Sequence, residues 1–585
     1  MEVCLFSEVF RKRLFCVLLF LVAGFWYFLY PHHVFYQENY NLFLFTTAFW
    51  KQYAWKPGGW SEYAGFFMMQ FFRYLWVGIL LNVLALWAVQ HSVASLFRQW
   101  GVFRQWYIWT WLPAFGLLGL QMNYDFLFGE TLRVVFFFAL LAFWGRIKNR
   151  KFNEVLFCLL SPCLLLLLGG GLFLLFYLLC FAGEIWGRKS VEKWRMIVGG
   201  LIFVVGVWWF WRYVYLMPYA WLYEFFPDAS RTQVVVEARI LFYGFTGMLV
   251  AGKILPDWRP ERLRGKILQM VVGAFILTGC VAVLRRYCYR PGVEALLHAE
   301  LAVAKGSWKE MSDLAAEVRY EIPTFVALNN LALAKEGDLA ERMFDYPQVG
   351  AEGLILPAGA NYLVNLFGHE IFYQLGQNNE AYRYLFEAYN CRAGQVSGHV
   401  LKRMAELLVR IEKPEAAKKI FVQLSHSLFY RSWAEGRLRE LVAFAPSAPS
   451  SGPDFYPGFS GSVVDLINMQ QQNPDNKVLQ EYLLTACLLE KQIPVFYHFF
   501  ARFYPAGTAG RLPRHYEEAL FIVLQSGLDK AVLEKYRISV EQFRRLSLYS
   551  SAYKKLQKNP EAARLLANDF GNTYWYYMHF KKKGS

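Results

Sequence analysis

The sequence predicts an all-α protein, with a membrane domain of about nine spanning helices followed by a water-soluble domain of helical repeats. Of the 585 residues, 56% are hydrophobic and 18% are charged, whereas soluble globular proteins contain about 25% charged residues. Long apolar runs such as LFCVLLFLVAGFWYFLY are confined to the part before residue 290. Beyond residue 290 the composition is that of a soluble protein, and apolar residues recur with the period of an amphipathic helix.

The changes in composition along the chain predict four regions. We expect a multi-pass transmembrane domain at 1–290, a helical-repeat domain at 291–445, a loop rich in Pro, Ser and Gly at 446–473, and a second helical subarray at 474–585.

A bilayer span requires about 17–25 mostly apolar residues. On that criterion we predict spans at 14–30, 74–92, 105–121, 132–145, 154–168, 171–186, 196–211, 239–255 and 267–284. The first span follows a basic cluster and lacks a cleavage motif, which is typical of an uncleaved signal anchor. The glycine run Gly169–Gly171 is consistent with either a tight hairpin or a kink within one long segment.

The basic residues predict the orientation of these spans. With the N-terminus in the cytoplasm, the cytoplasmic loops contain seventeen Lys and Arg residues and the opposite loops seven. Basic residues are enriched in cytoplasmic loops, so this orientation is favoured. We therefore expect a multi-pass protein of the bacterial inner membrane, with its C-terminal domain in the periplasm.

The charge distribution argues against a nucleic-acid-binding protein, and the cysteine pattern argues against a protein built on a metal site or on disulfides. The net charge is +16, but many of the basic residues lie in short loops between apolar runs, so we predict no nucleic-acid binding. The nine cysteines form no CxxC pair, and neither a metal site nor a disulfide framework is predicted. No cofactor is identified. The adjacent His32 and His33 are interpreted as ordinary polar residues at a span end.

The first exported loop is unusually aromatic and contains a turn at Pro57, Gly58 and Gly59. Its pattern predicts helices lying in the membrane interface on either side of that turn. Two carboxylates of this loop, Glu38 and Glu62, are expected at the membrane surface.

Further polar residues on the exported side are candidates for a site. A carboxylate at Asp125 joins Glu38, and basic residues near span ends could hold a lipid phosphate: Arg73, Arg133, Arg212 and Arg239. Two interpretations remain open. In the first, the acids are solvated and the basic residues snorkel to lipid headgroups. In the second, one carboxylate is a general base beside a polyprenyl-phosphate lipid that arginine holds.

The layout of one cytoplasmic-start span followed by a long exported loop with an early acid resembles the membrane half of C-type (GT-C) glycosyltransferases. That resemblance covers roughly residues 1–290. It implies a lipid-linked sugar donor and a catalytic acid at Glu38, in YQENYN. The chain as a whole resembles an uncharacterised family of bacterial inner-membrane proteins through PGGWSEYAGFFMMQFF and its helical-repeat tail.

Two segments of the second half align with each other, YQLGQNNEAYRYLFEA and LVRIEKPEAAKKIFVQL. Glu380, Ala381 and Phe386 match positions 415, 416 and 421, an offset of 35 residues. This spacing resembles the 34-residue tetratricopeptide repeat, in which a small residue allows close helix packing. The resemblance implies a surface for a protein or peptide partner.

Two hypotheses of function follow. In the first, the protein is a glycosyltransferase-like enzyme of envelope assembly, with Glu38 and then Asp125 as catalytic candidates. In the second, it is a non-enzymatic membrane anchor that presents a repeat scaffold to an envelope complex. A transporter is a third and weaker alternative, because few ionisable residues lie in mid-span.

Overall fold

The architecture of the chain is taken from a computed structural model. It describes residues 8–40, 42–101, 107–147, 160–185, 205–206, 209–210, 212–213, 224–226, 232–254, 263–357, 359, 361–391, 397–443, 463–507 and 511–581. All regular secondary structure in these ranges is helical, so the predicted all-α class is confirmed at that level. Most of the predicted span at 196–211 and most of the loop at 446–473 lie outside the described residues.

The chain forms two compact units. The first contains Met1–Arg290 together with the short segment His426–Arg431, and the second contains Pro291–Ser425 and Ser432–Ser585. The main division thus falls at residue 290, where the composition changes.

The first unit contains ten helices with described bounds. They are α1 (Glu8–Phe28), α2 (Pro31–Tyr40), α3 (Thr47–Ala54), α4 (Gly59–Met69), α5 (Leu75–Trp100), α6 (Leu112–Gln121), α7 (Phe128–Trp144), α8 (Gly170–Ile185), α9 (Thr232–Ile254) and α10 (Leu263–Val283). Short 3-10 helices precede α5 and α6 at Gln70–Arg73 and Tyr107–Trp111, and α10 continues into a π-helical turn at Leu284–Cys288.

Among the described residues, three helices are long and apolar enough to cross a bilayer: Leu75–Trp100, Val234–Gly252 and Val271–Cys288. The helical pair Cys16–Phe28 and Pro31–Glu38, bent by 74°, could add a fourth. Predicted spans at 74–92, 239–255 and 267–284 overlap these helices, whereas α7 and α8 have only 17 and 16 residues. Nine spans therefore remain a prediction.

These apolar helices expose large side chains outside the packed interior of the unit. In the window Val271–Cys288 no residue is buried within the chain. Phe20, Trp76, Ile240 and Phe275 are 78%, 68%, 69% and 79% exposed. Soluble monomers rarely expose extended apolar surface, which therefore indicates a partner or a membrane.

The second unit is built from short helices packed in succession. They are α11 (Pro291–Ala304), α12 (Trp308–Val318), α13 (Pro323–Glu336), α14 (Leu339–Arg342), α15 (Tyr362–Gln374), α16 (Asn378–Asn390), α17 (Gly398–Arg410), α18 (Pro414–Ser425), α19 (Arg431–Ala443), α20 (Val463–Gln472), α21 (Lys477–Leu489), α22 (Ile493–Phe503), α23 (Arg514–Gln525), α24 (Val532–Lys535), α25 (Val540–Leu556), α26 (Ala562–Phe570) and α27 (Tyr574–Phe580).

The helix pairs α15–α16 and α17–α18 repeat with a period of 36 residues, since each helix of the second pair begins 36 residues after its counterpart. The buried alanines Ala381 and Ala417 have this separation, and so do the buried Leu385 and Phe421. The aligned Phe386 is 45% exposed, so the 35-residue register of the sequence alignment is wrong by one residue. The error arises because Phe421 corresponds to a buried leucine rather than to the next phenylalanine.

Candidate functional site

Glu38 lies in the last turns of α2, beyond a sharp break in the chain. The break at Leu29 and Tyr30 turns α2 by 74° from α1, and Pro31 begins α2, a position where its fixed φ angle suits the first helical residue. Glu38 is half-buried and has no hydrogen bond or ion pair among the described residues. Glu38 is therefore a carboxylate with no directly bonded donor or cation among the described residues.

The 3-10 helix Gln70–Arg73 packs against α2 and brings Arg73 near Glu38. Burial raises the pKa of Glu38 to about 7, and the positive charge of Arg73 offsets part of that rise. A carboxyl group with a pKa near neutrality exchanges protons readily at physiological pH. Of the four predicted phosphate-binding arginines, Arg73 is the one whose charge acts on Glu38.

The segment His426–Arg431, which belongs to the same unit, supplies a third polar group. A hydrogen bond of 2.9 Å joins this segment to the first loop of the unit, with the Phe45 N–H donating to the His426 carbonyl. The ring of Phe429 lies 5.6 Å from the Arg73 guanidinium carbon, a cation–π contact. This contact fixes Arg73 from one side.

Tyr430 follows in the same segment and is half-buried. Burial raises the pKa of its hydroxyl, the negative charge of Glu38 raises it further, and Arg73 lowers it. The phenol is therefore neutral and lies within electrostatic reach of both charged groups. Sequence reasoning missed Tyr430, because it is about 390 residues from Glu38 along the chain and belongs to a turn between two helices of the second unit.

A second polar cluster lies deeper in the first unit, where α4 crosses α7. Glu62 of α4 is 6% exposed, and Arg133 of α7 is 1% exposed. The two side chains form an ion pair, and the Lys56 Nζ bonds the other carboxylate oxygen of Glu62 at 2.8 Å. Arg133 also donates from Nε to the Gly58 carbonyl at 3.3 Å. Glu62 and Arg133 were expected at the membrane surface, but both are buried against each other.

The PGG turn of the first loop closes around this ion pair. Gly58 adopts φ +73°, and a β-carbon there would lie 2.7 Å from the Arg133 guanidinium. A β-carbon at Gly59 would lie 2.1 Å from the Tyr53 carbonyl oxygen. Both positions therefore require glycine, one for the left-handed backbone and both for space.

The glycine run after residue 168 meets the same turn. Gly169 adopts φ +80°, and its β-position lies 3.7 Å from the Gly58 α-carbon. The Gly58 N–H donates to the Leu165 carbonyl at 3.1 Å, and the Ser61 hydroxyl donates to the Leu167 carbonyl at 2.6 Å. Helical residues 160–168 thus end on the PGG turn, whose Gly58 N–H and Ser61 hydroxyl provide donors to the last carbonyls of this helix.

The remaining predicted residues lie apart from these clusters. Asp125 is half-buried in the turn between α6 and α7, where its N–H donates to the Asn123 side chain at 3.2 Å. Arg239 is exposed and pairs with Glu224 at 2.6 Å. The Arg212 guanidinium carbon lies 5.9 Å from the centre of the Tyr213 ring. No contact described in the structure joins these three to Glu38.

Metal chemistry has no obvious centre in the described part of the chain. No group of three or more His, Cys, Asp and Glu side chains there could hold a metal ion. His33 is buried, and its ring packs 5.7 Å from those of Trp26 and Tyr30.

The fold and the two clusters define a class: an all-helical two-unit protein whose first unit exposes long apolar helices and carries buried ionisable groups. The chain belongs to the family of unknown function DUF6057, whose pattern it matches over residues 8–581. The predicted membership of an uncharacterised family is thereby confirmed. No curated protein and no solved structure matches the chain.

Proposed function

We propose that the protein is an integral membrane protein of cell-envelope biogenesis, anchored by the apolar helices of its first unit. The large exposed side chains of α1, α5, α9 and α10 support this, because a bilayer covers such surfaces without a protein partner. The sequence-based orientation gives a cytoplasmic N-terminus and an exported second unit, in the inner membrane of a two-membrane bacterium.

We further propose that the first unit is a GT-C-like transferase that uses a lipid-linked sugar. The observation that carries this proposal is the juxtaposition of the unpaired, half-buried Glu38 with the cation Arg73. A guanidinium binds phosphate oxygens, and a neighbouring carboxylate of near-neutral pKa accepts a proton. These are the two kinds of group that a polyprenyl-phosphate transferase needs.

In the proposed reaction, Glu38 removes the proton from an acceptor hydroxyl while that oxygen attacks the anomeric carbon of the donor. The new carbon–oxygen bond forms as the bond between the anomeric carbon and the phosphate oxygen breaks. The bonding pair leaves with the polyprenyl phosphate, whose charge Arg73 stabilises. The proton remains on Glu38 until it is released to water.

The competing proposal is a membrane-anchored scaffold without catalytic activity. It is favoured by the second unit, where Phe386 and Val422, on the second helices of adjacent pairs, are each 45% exposed. Helical repeats of this kind bind protein or peptide partners on surfaces formed by successive pairs. Both proposals assign partner binding to the second unit.

Replacing Glu38 with Gln is expected to abolish turnover, because the amide has nearly the same shape but cannot accept the proton. General-base removal typically costs 10²–10⁴-fold in rate, so we expect a loss of at least about 100-fold. The measurement uses purified protein in nanodiscs containing a panel of polyprenyl-phosphate sugars. Release of free polyprenyl phosphate is followed by mass spectrometry.

The matched control is Glu224→Gln, which removes a carboxylate from the same unit where it pairs with the exposed Arg239. This control should retain the wild-type rate. If Glu38→Gln turns over as fast as the control, Glu38 is not the base. If the wild-type protein consumes none of the donors, the scaffold proposal replaces the enzyme.

The pH dependence provides a separate test of the same assignment. Because the base must be ionised and the pKa of Glu38 is raised to about 7, the rate should rise with pH and reach half its maximum near pH 7. An ordinary surface carboxylate would already be ionised at pH 5.5. A rate that is constant from pH 5.5 to 8 would exclude Glu38 as the proton acceptor.

A further inference from the structure

The segment His426–Arg431 (HSLFYR) joins α18 to α19 in sequence, but it packs with the first compact unit. Within the segment, the Tyr430 N–H donates to the Ser427 hydroxyl oxygen at 3.2 Å, which closes a turn. Ser427 is buried, whereas its neighbour Leu428 is 46% exposed. The segment is therefore a turn that is anchored to the first unit and leaves a large apolar side chain uncovered.

The ring of Phe429 places this turn at the beginning of α5. It lies 6.1 Å from the Phe71 ring and 6.2 Å from the Tyr74 ring, in both cases edge to face. It also lies 5.6 Å from the guanidinium carbon of Arg73. Tyr74 is the last residue before α5, which is one of the helices long and apolar enough to cross a bilayer. The segment therefore lies where α5 would enter the membrane.

The side chains next to this contact have the composition of a membrane interface. Tyr74 and Trp76, at the beginning of α5, are 48% and 68% exposed. The Phe67 ring lies 5.7 Å from the Phe71 ring and 6.3 Å from the Phe45 ring, and both Phe67 and Phe45 are exposed. Aromatic side chains of this kind are concentrated at the boundary between bilayer and water. A group of exposed rings therefore adjoins the segment, as expected at that boundary.

Several apolar helices have their ends on the same side of the first unit as this contact. The Arg290 N–H donates to the Tyr30 hydroxyl at 2.6 Å, so the end of α1 and the end of the last candidate span meet. The 3-10 helix before α5 packs against α2, which directly follows Tyr30. The beginning of α5 therefore lies on that side as well. Among the described helices, none after residue 290 is a candidate span, so the chain reaches residue 426 without a further crossing.

We propose that the segment His426–Arg431 contacts the surface of the lipid bilayer beside α5. Leu428 enters the boundary between headgroups and acyl chains, and the exposed Arg73 and Arg431 attract anionic headgroups. This inference rests on the proposed anchorage of the first unit in a membrane, but not on any transferase activity. It adds a stretch of the chain far beyond residue 290 to the surface that meets lipid.

Two observations favour a bilayer over a protein as the partner of this surface. The first is continuity, because one face of α5 carries an exposed apolar stripe that starts beside the segment: Trp76, Leu80, Leu84 and Trp87. A bilayer that covers the stripe reaches the segment without any additional partner. The second is charge, because the segment and the adjoining 3-10 helix contain basic residues and no acid. Anionic headgroups complement that charge.

The test measures contact with lipid in the full-length protein in nanodiscs. A fluorescent amino acid is encoded in place of Leu428, and the phospholipids carry bromine atoms, which quench fluorescence on contact. Interfacial elements lie about 5–10 Å into the boundary between headgroups and chains, so bromine near the headgroup should reduce the emission at least about twofold. Bromine near the chain ends should quench less.

Two other labelled positions serve as controls. Leu565, on α26, is 45% exposed, which matches Leu428, and its label should not be quenched. Phe275, on α10, is 79% exposed, and its label should be quenched most strongly by bromine near the chain ends. Quenching at 275 but not at 428, or equal quenching at 428 and 565, would overturn this inference and leave the membrane anchorage intact. A lack of quenching at 275 would overturn the anchorage as well.

The composition of the lipid tests the role of charge. Quenching at residue 428 should be stronger with phosphatidylglycerol than with phosphatidylcholine alone. Arg431→Gln should remove about half of this difference, since it removes one of two basic charges near the headgroups. The matched control is Arg437→Gln, because Arg437 is exposed and pairs with Glu440 at 2.6 Å, and it should leave the difference unchanged. Equal quenching in both lipids, or equal losses with both variants, would overturn the assignment of Arg431 to the headgroups.

Discussion

Replacing Arg133 with Met is expected to destabilise the first unit by about 3–5 kcal/mol, the usual cost of removing one partner from a buried ion pair. The methionine fills similar space, so packing is largely kept. Glu62, 6% exposed, would keep its contact with Lys56 but lose the arginine that is buried with it. The Gly58 carbonyl would lose the donor that reaches it from Arg133.

The measurement is the free energy of unfolding of the purified protein in mixed detergent, followed by helical circular dichroism. Arg239→Met is the matched control, because Arg239 is 47% exposed and pairs with Glu224 at the surface. Exposed pairs contribute about 0–1 kcal/mol, so this variant should unfold like the wild type. Similar losses for both variants would show that the Glu62–Arg133 pair is not buried from solvent.

A third variant separates the contribution of the ion pair to stability from that of the side-chain volume. Replacing Glu62 and Arg133 together with Leu and Met removes both charges at once. Apolar replacement of a complete buried pair is often neutral or stabilising, so the double variant should recover much of the loss seen with Arg133→Met alone. A double variant that is less stable than either single one would indicate that the pair is favourable in itself.

Replacing Gly65 with Ala should have an effect of similar size for a different reason. A β-carbon at residue 65 would lie 2.2 Å from the α-carbon of Gly129, so the backbones of α4 and α7 must separate. Backbone cannot move aside as a flexible side chain does, and overpacking already costs about 1–3 kcal/mol where side chains can adjust. We expect at least about 3 kcal/mol, measured by the same unfolding experiment.

The same helices carry Glu62 and Arg133, so their separation should also stretch the buried ion pair. Gly129→Ala meets the Glu62 α-carbon at 3.0 Å and should destabilise less than Gly65→Ala. Gly247→Ala, in α9, is the control, because nothing lies within 4 Å of its β-position. Alanine there should stabilise the helix by up to about 1 kcal/mol. If Gly65→Ala unfolds like this control, α4 and α7 do not cross at these glycines.

Much of the fold was predictable because its signals are local. Helical class, the change near residue 290 and the helices at 75–100, 232–254 and 263–283 follow from hydropathy and period, which any short window of sequence carries. The two aligned segments fall in helix pairs 36 residues apart, but their predicted register was wrong by one residue, because Phe386 and Phe421 look alike in sequence and differ only in burial.

The candidate site was predictable in part. Glu38 was selected from its position in the aromatic loop and Arg73 from its position near a span end, and in the structure the charge of Arg73 acts on Glu38. Tyr430 was not, since nothing in a local pattern joins residue 430 to residue 38. Asp125 was selected by the same criteria as Glu38, and Arg212 and Arg239 by the same criteria as Arg73, but no described contact joins these three to Glu38. Residue type and sidedness alone therefore do not define a site.

The sequence by itself determined the helical class, the apolar runs and the residue types available for chemistry. Only the tertiary structure decided which charges meet. Arg133 looked like a surface arginine at a span end, but Glu62, 71 residues earlier, neutralises it inside the unit. Pairing between residues so far apart in sequence depends on the close approach of α4 and α7, which is possible because Gly65 and Gly129 have no side chain. No local hydrophobic pattern predicts that approach. The partners then decide what burial does to a carboxylate. Glu62 is more deeply buried than Glu38 but contacts Arg133 and Lys56, whereas Glu38 has no bonded partner among the described residues and burial raises its pKa, because removing an unpaired charge from water is costly.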